Sequence, residues 1–232
     1  MLQSQILGQV NNGFEIFKKE AEIILNDYPG LILVDDEKNA TPSISGIIRL
    51  EDEKGSFIDS YKIKIIPTND YPNQFPYVFE IGGRIPVNID WHVYPKDGHC
   101  CISSIPEEIL ICKNGINLHS YIENQIKPYF FNQKHRELNG FFLKERPHGT
   151  EGNVQYFIET FKTKDLATII KYLVFIRQRN EPNRVSLCFC GSGLKYRKCH
   201  KEAFRKLSAF NNDELNIFIE MIRRFVQYQH EE

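Results

Sequence analysis

Four soft donors, Cys188, Cys190, Cys199 and His200, fall within thirteen consecutive positions of this 232-residue chain. Thiolate sulfur and imidazole nitrogen are the ligands zinc takes in tetrahedral structural sites. Gly191 and Gly193 lie between them and permit the left-handed backbone that turns two close ligands toward one ion. Four protein donors close the coordination sphere and leave no position for an activated water, so the expected role is structural Zn2+ rather than hydrolysis. A second group of reactive side chains lies upstream: His92, then Asp97-Gly98-His99-Cys100-Cys101-Ile102. A cysteine thiol is a soft nucleophile and also a good leaving group, the two properties that acyl transfer from a thioester to an amine requires. At an ordinary pKa of about 8.5, a few per cent of it is already thiolate at neutral pH. Gly98 lets the backbone turn tightly so that Cys101 faces an open groove, and Asp97 can cap that turn through its own backbone.

Residues 188–200 resemble the SEC-C motif, the small zinc knuckle first seen at the C-terminus of the SecA translocation ATPase. The resemblance implies a segment folded around zinc and is silent on the rest of the chain. Upstream, Pro67, Tyr71, Pro72 and Pro76 mark a strand that runs into a Tyr-Pro turn and a second strand that leaves it, followed by His92, Asp97, Gly98 and Cys101. This combination resembles the ubiquitin-conjugating enzyme (UBC) fold over about residues 6 to 140. In that family a Pro-x-x-Tyr-Pro-x-x-x-Pro element separates the third and fourth strands. A His then precedes Asn/Asp-Gly-x-x-Cys-Leu, whose Cys carries the thioester. The resemblance implies Cys101 as that residue.

Two departures matter. The family's His-Pro-Asn is replaced by His92-Val93-Tyr94, so the Asn proposed to stabilise the oxyanion or hold the loop is absent. Stabilisation then falls to backbone N–H groups or His99, or the enzyme is slow. His92 reads as a structural hydrogen-bonding residue in preference to a base. Two roles are open for His99: a proton donor that tunes the thiol, or a solvated loop residue. The other departure is the doublet Cys100-Cys101. Cys101 stands at Gly-x-x-Cys before aliphatic Ile102, whereas Cys100 falls where the family places an apolar residue and is assigned to packing. Cys112 is assigned as a small buried hydrophobe.

Gly82-Gly83-Arg84-Ile85-Pro86, Asp90-Trp91-His92-Val93 and Arg146-Pro147-His148-Gly149, with Gly152, are similar to the prokaryotic UBC-like families of antiphage operons. These include CBASS systems with a cGAS-like nucleotidyltransferase. The similarity implies conjugation of a protein with a flexible C-terminus, either such a nucleotidyltransferase or a ubiquitin-like protein. The chain has no nucleotide-binding Gly-rich loop, so adenylation lies on a separate activating enzyme or is dispensed with. His148 and Gly149 match a His-Gly pair of those families, with no role beyond loop structure. Two non-enzymatic alternatives stay open. One is a UBC-shaped module that binds a partner without catalysis, which the missing Asn favours. The other is an adaptor for a ribosome or chaperone partner acting through the zinc knuckle.

The elements that must position these residues are legible in outline. Phe14, Phe17, Ala21, Ile24 and Leu25 recur on one face of a helix over residues 6–26, stopped by Tyr28-Pro29-Gly30. Strands are expected over 31–34, 43–50, 56–66 and 77–81, with a turn at 51–55. Residues 82–115 read as a long loop carrying Pro86, Pro95, Gly98 and Pro106, and loops of that length inside compact domains are usually functional. A helix over 117–137 is kinked or split by Pro128. Helices over 151–161 and 164–179 follow, the latter with Thr163 as N-cap. A last helix opens near Asn211 with Glu214 in capping-box order, and Leu215, Phe218, Ile219, Ile222, Phe225 and Val226 form its apolar stripe. The fold class is α+β: a UBC-like N-terminal helix, four-stranded antiparallel meander and C-terminal helices, with a small C-terminal zinc knuckle. The expected segments are a conjugating domain over 1–145, a helical extension over 146–182, the SEC-C motif over 183–204 and an amphipathic helix over 205–232.

Composition is that of an ordinary globular protein, 41% hydrophobic and 25% charged, with a net charge of −1. A near-neutral chain offers no general attraction for nucleic acid. The basic run Arg184, Lys195, Arg197, Lys198, Lys201, Arg205 and Lys206, against Glu202, is read as a solvated face in preference to a site for RNA or an acidic protein surface. No apolar run reaches the ~18 residues of a membrane span, and the start of the chain lacks a basic-then-apolar leader. Six cysteines, three of them in a metal motif and two adjacent, point to free thiols in a reducing cytoplasm.

Overall fold

The computed structural model describes residues 2–34 and 41–229, with side chains from residue 13 onward. The chain forms two compact units, Met1–Ser103 with Ile111–Glu145, and Ser104–Leu110 with Arg146–Glu232.

The first unit is α+β. Helix α1 (Leu2–Ile24) buries Phe17, Ala21 and Ile24, the i, i+4, i+7 spacing of one helical face. Strands β1 (Leu31–Val34), β2 (Ser43–Glu51), β3 (Phe57–Ile66) and β4 (Tyr77–Glu80) follow as an antiparallel sheet in the order β1-β2-β3-β4. Register places Ile44 opposite Ile65 and Ile48 opposite Tyr61, with Ile65 also opposite Val78. All five are buried, so the period-2 alternation turns one face of the sheet into core. Helix α2 (Ile105–Lys113), whose residues up to Leu110 belong to the second unit, stands inside the stretch expected to be loop. Its Pro106 lies in the first helical turn, where a missing N–H leaves no bond unmade.

The helix expected over 117–137 is α3 (Leu118–Tyr121), a π-helical stretch Ile122–Ile126 and α4 (Lys127–Asn139). The chain continues through Pro128 because it falls at the start of α4, and the wider π turn just before it absorbs the lost bond. Asn117 and Ser120 cap α3 reciprocally. Tyr121, Ile122, Ile126 and Phe130 complete the core with α1 and the sheet, and Phe130 stacks on Tyr61 with ring centroids 4.6 Å apart.

The second unit contains α5 (Gly149–Phe161), α6 (Leu166–Arg177), α7 (Lys201–Leu207) and α8 (Asn212–Gln229). Helix α6 is capped by Asp165, whose side chain accepts from the Ala167 N–H at 3.1 Å. Thr163, the expected cap, instead accepts from the Asp165 N–H at 3.3 Å, one step outside the helix. Helix α8 opens on the expected reciprocal pair, Asn211 N–H to Glu214 at 2.7 Å and Glu214 N–H to Asn211 at 2.8 Å. Its Leu215, Phe218, Ile219 and Ile222 share one core with Phe157 and Phe161 of α5, Leu173 of α6, and Tyr196 and Phe204. The last three positions of the expected terminal segment, 230–232, lie outside the described residues. Among those described, no helix is long and apolar enough to cross a membrane.

Candidate functional site

Two constellations carry chemistry, one in each unit. In the second, a two-stranded turn presents the four soft donors. Leu187 bridges to Lys195, the Cys188 N–H donates to Leu194 O at 2.8 Å, and the Tyr196 N–H donates to Ser186 O at 2.9 Å. Gly191 and Gly193 sit at φ +76° and +74°, the left-handed conformation that closes so short a loop. Tyr196 is wholly buried and opens a 3-10 turn (Tyr196–Lys198) that delivers Cys199 and His200.

The donor atoms of Cys188, Cys190, Cys199 and His200 all lie within 4.8 Å of one another. Cys190 Sγ is 3.6 Å from Cys199 Sγ, and His200 Nδ1 is 3.4 Å from Cys188 Sγ and 3.3 Å from Cys199 Sγ. A tetrahedron with metal–sulfur bonds of ~2.3 Å and metal–nitrogen bonds of ~2.0 Å has edges of about 3.8 Å (S–S) and about 3.5 Å (S–N). These three edges lie within a few tenths of an ångström of that tetrahedron, and all four donors are close enough to hold one metal ion. The other imidazole nitrogen, His200 Nε2, lies 3.2 Å from Phe161 O. A carbonyl can only accept, so Nε2 carries the proton and the Nδ1 lone pair faces the sulfurs, the arrangement a histidine ligand needs. Burial pushes the Cys188 thiol up to about 11. At Cys190 burial also opposes ionisation, but the hydroxyl and N–H of Ser192 outweigh it and bring the thiol down to about 6. Behind the cage, Phe189 stacks on Phe175 at 4.6 Å and Tyr172 lies 5.3 Å from the His200 ring.

Residues 186–202 match the SEC-C motif. SEC-C is a metal-binding motif, and the four expected ligands are the donors gathered here. No curated protein and no solved structure matches the chain.

In the first unit the Cys101 loop hangs from β4 and from His92. The Cys100 N–H donates to Val78 O at 2.7 Å, and the Cys101 N–H donates to His92 O at 2.7 Å. His92 follows a 3-10 turn (Ile89–Trp91) with φ +53°. Its carbonyl also accepts from the Tyr129 hydroxyl at 2.9 Å, and its ring meets Phe142 edge-on at 4.7 Å. His92 thus meets the cysteine through its backbone carbonyl, and one of its ring nitrogens also lies within 4.8 Å of Cys101 Sγ. Tyr94 and His99 pair across a turn, with Tyr94 N–H to His99 O at 2.9 Å and Gly98 N–H to Tyr94 O at 2.8 Å. Gly98 takes φ +83° in that turn. Asp97 caps it, accepting from the His99 N–H at 3.2 Å and holding His99 Nδ1 at 2.6 Å.

The doublet divides as expected. Cys100 is 3% exposed and burial pushes its thiol up to about 12, whereas Cys101 is half-buried. Cys112 is buried at 8% exposure. Cys101 Sγ lies 3.4 Å from the Tyr94 hydroxyl. Burial raises the Cys101 thiol, and the bond to Tyr94 opposes that rise only in part. His99 stands one side chain farther off, with its ring stacked on Tyr94 at 4.3 Å and 28° and set edge-on to Tyr77 at 5.0 Å. Tyr94, absent from the candidates that residue type alone suggests, is thus part of the site. Pro95-Lys96-Asp97-Gly98 is a turn signal that pairs Tyr94 with His99, and this signal was available to find it.

Proposed function

We propose that the first unit is an acyl transferase of ubiquitin-conjugating type, in which Cys101 carries a protein C-terminus as a thioester. The Cys101 sulfur bonds to the carbonyl carbon of an incoming thioester. The old C–S bond breaks, and the thiol proton leaves with the departing thiol. An amine then bonds to the same carbon, the bond to Cys101 breaks, and the proton shed by the amine returns to the sulfur. The observation that carries this assignment is the division of the doublet. Cys101, at the family's Gly-x-x-Cys position, is the partly exposed thiol of a loop tied to β4, while Cys100 and Cys112 are core. The order of α1, a four-stranded antiparallel meander, the cysteine loop and later helices supports a UBC-like architecture.

The metal of the SEC-C motif is zinc in a structural role, on the Cys3His donor set and its closed sphere. The substrate is a protein with a flexible C-terminus, a cGAS-like nucleotidyltransferase or a ubiquitin-like protein supplied by a separate activating enzyme. The setting is bacterial antiviral defence in a reducing cytoplasm. A second assignment, a non-catalytic adaptor, is favoured by one observation: burial raises the Cys101 thiol rather than activating it.

The full-length protein, incubated with the products of neighbouring genes, should form a covalent adduct that thiol reductants remove. Cys101→Ala should abolish the adduct, while Cys100→Ala and Cys112→Ala should retain it. An adduct that survives loss of Cys101 and disappears with Cys100 would overturn the assignment.

A further inference from the structure

We propose that the Tyr94 hydroxyl supplies the oxyanion contact for acyl transfer at Cys101, a role deepening the function proposed above and resting on it. An addition–elimination at a thioester carbonyl places a negative oxygen next to the attacking sulfur, and that oxygen needs a donor already in position. Three backbone N–H groups leading up to the nucleophile are committed elsewhere. His99 N–H goes to Asp97, Cys100 N–H to Val78 O and Cys101 N–H to His92 O. His99 Nδ1 is held by Asp97 at 2.6 Å. The Tyr94 hydroxyl is in hydrogen-bond reach of Cys101 Sγ, 3.4 Å away, while the nearby His92 ring nitrogen is placed only within 4.8 Å of it.

Reach is right as well. In a tetrahedral adduct the oxyanion stands roughly 2.6 Å from sulfur, so a donor 3.4 Å from the same sulfur can come within the ~2.7–3.1 Å an oxyanion contact requires. The phenol donates a hydrogen bond and keeps its proton, so the balance of bonds and protons given above is unchanged. His99 and Asp97 are positioning residues here. The Tyr94 ring is clamped by the His99 imidazole at 4.3 Å, and that imidazole is fixed in turn by Asp97. A donor held by a stacked ring loses little freedom at the moment of reaction.

The test compares two reactions of the same sulfur in the full-length protein. One is transfer of a short peptide from its C-terminal glycine thioester onto Cys101, which passes through an oxyanion. The other is alkylation of Cys101 by iodoacetamide, a displacement that forms none. Both are followed by mass spectrometry over pH and extrapolated to full ionisation. Tyr94→Phe keeps the ring on His99 and removes the hydroxyl. Acyl transfer should fall on the order of 100-fold, the usual effect of removing one oxyanion donor, while the alkylation constant stays within about twofold. His99→Ala, which loosens the clamp, should produce a smaller loss of the same kind. Equal losses in both reactions, or no loss in acyl transfer, overturn the role of Tyr94 and leave the thioester function standing. Absence of any Cys101 adduct in the unsubstituted protein, with alkylation intact, sinks that function and this inference with it.

Discussion

Stripping the metal from the SEC-C motif should unfold the second unit and spare the first. The three donor separations of 3.3, 3.4 and 3.6 Å lie within a few tenths of an ångström of the edges of a zinc tetrahedron, and all four donors lie within 4.8 Å of one another, so they are already gathered for one ion. Structural zinc held by such a set contributes on the order of 10 kcal/mol at neutral pH, as much as the whole stability of many domains, about 5–15 kcal/mol. The motif also shares its core with the helices around it: Cys188 and Tyr196 pack in one cluster with Phe161, Leu173, Phe204 and Leu215. Loss of the ion should therefore spread from the knuckle into α5, α6 and α8. His200→Ala removes a donor and its tie to Phe161 O. Partners behind a ligand alone change affinity by about 10–100-fold, so loss of the ligand itself should weaken binding by at least 100-fold. His200→Cys, which returns a fourth soft donor, should recover part of it. Elemental analysis of the full chain should find one zinc per molecule. Limited proteolysis after chelation should then release peptides from 146–229 while the strands of the first unit stay protected. A chelated protein whose second unit resists protease as before, or protein purified without chelator that holds no zinc, would refute the reasoning.

Other expectations concern the first unit. In native protein, iodoacetamide should modify Cys101 and leave Cys100 and Cys112 until denaturant is added, because those two are core. Modification of Cys100 ahead of Cys101 would mean the loop has been misplaced. The reaction should run more slowly at pH 7.5 than with a free cysteine and speed up with rising pH, since burial raises the Cys101 thiol. Asp59 is held by Arg84 at 2.5 Å and Lys134 at 2.8 Å, and the Arg84 bond above all keeps its carboxyl well below the usual range. A carboxyl depressed on folding stabilises the folded state at pH above its unfolded value of about 3.9, and that contribution is lost as pH falls through the folded value. Asp59→Asn should therefore lose about 1–3 kcal/mol at pH 7 and less at pH 3, as read from urea melts; equal losses at both pH values would remove the claim.

The ease of reading each part from sequence follows from how local its cause is. The four strands lie within about one residue of where alternation and Gly/Pro punctuation put them, because burial of one sheet face writes a period of two directly into the residues. The metal ligands were legible for the same reason, with all donors inside one short turn. Helix α2 was not. Ile109, Leu110, Ile111 and Cys112 run consecutively and give no helical period, and Pro106 reads as a breaker although it stands in a first turn. The two histidines near Cys101 were candidates by type alone. The fold uses the carbonyl of His92, whose ring also approaches the sulfur, and the ring face of His99, roles that residue identity does not encode.

Tyr94 also bears on why a half-buried, unactivated thiol is compatible with catalysis. Removing water from around Cys101 raises the thiol and so lowers the thiolate population. The same low-dielectric surroundings strengthen each hydrogen bond to an anion that forms there. Acyl transfer charges the carbonyl oxygen as it neutralises the sulfur, so the site loses at the first step and gains at the second when a fixed donor stands by the oxygen. A half-buried cysteine with no phenol beside it would suffer the loss alone. In this chain, 3.4 Å between Cys101 Sγ and the Tyr94 hydroxyl is what joins the two effects, and the contrast between acyl transfer and alkylation in Tyr94→Phe separates them.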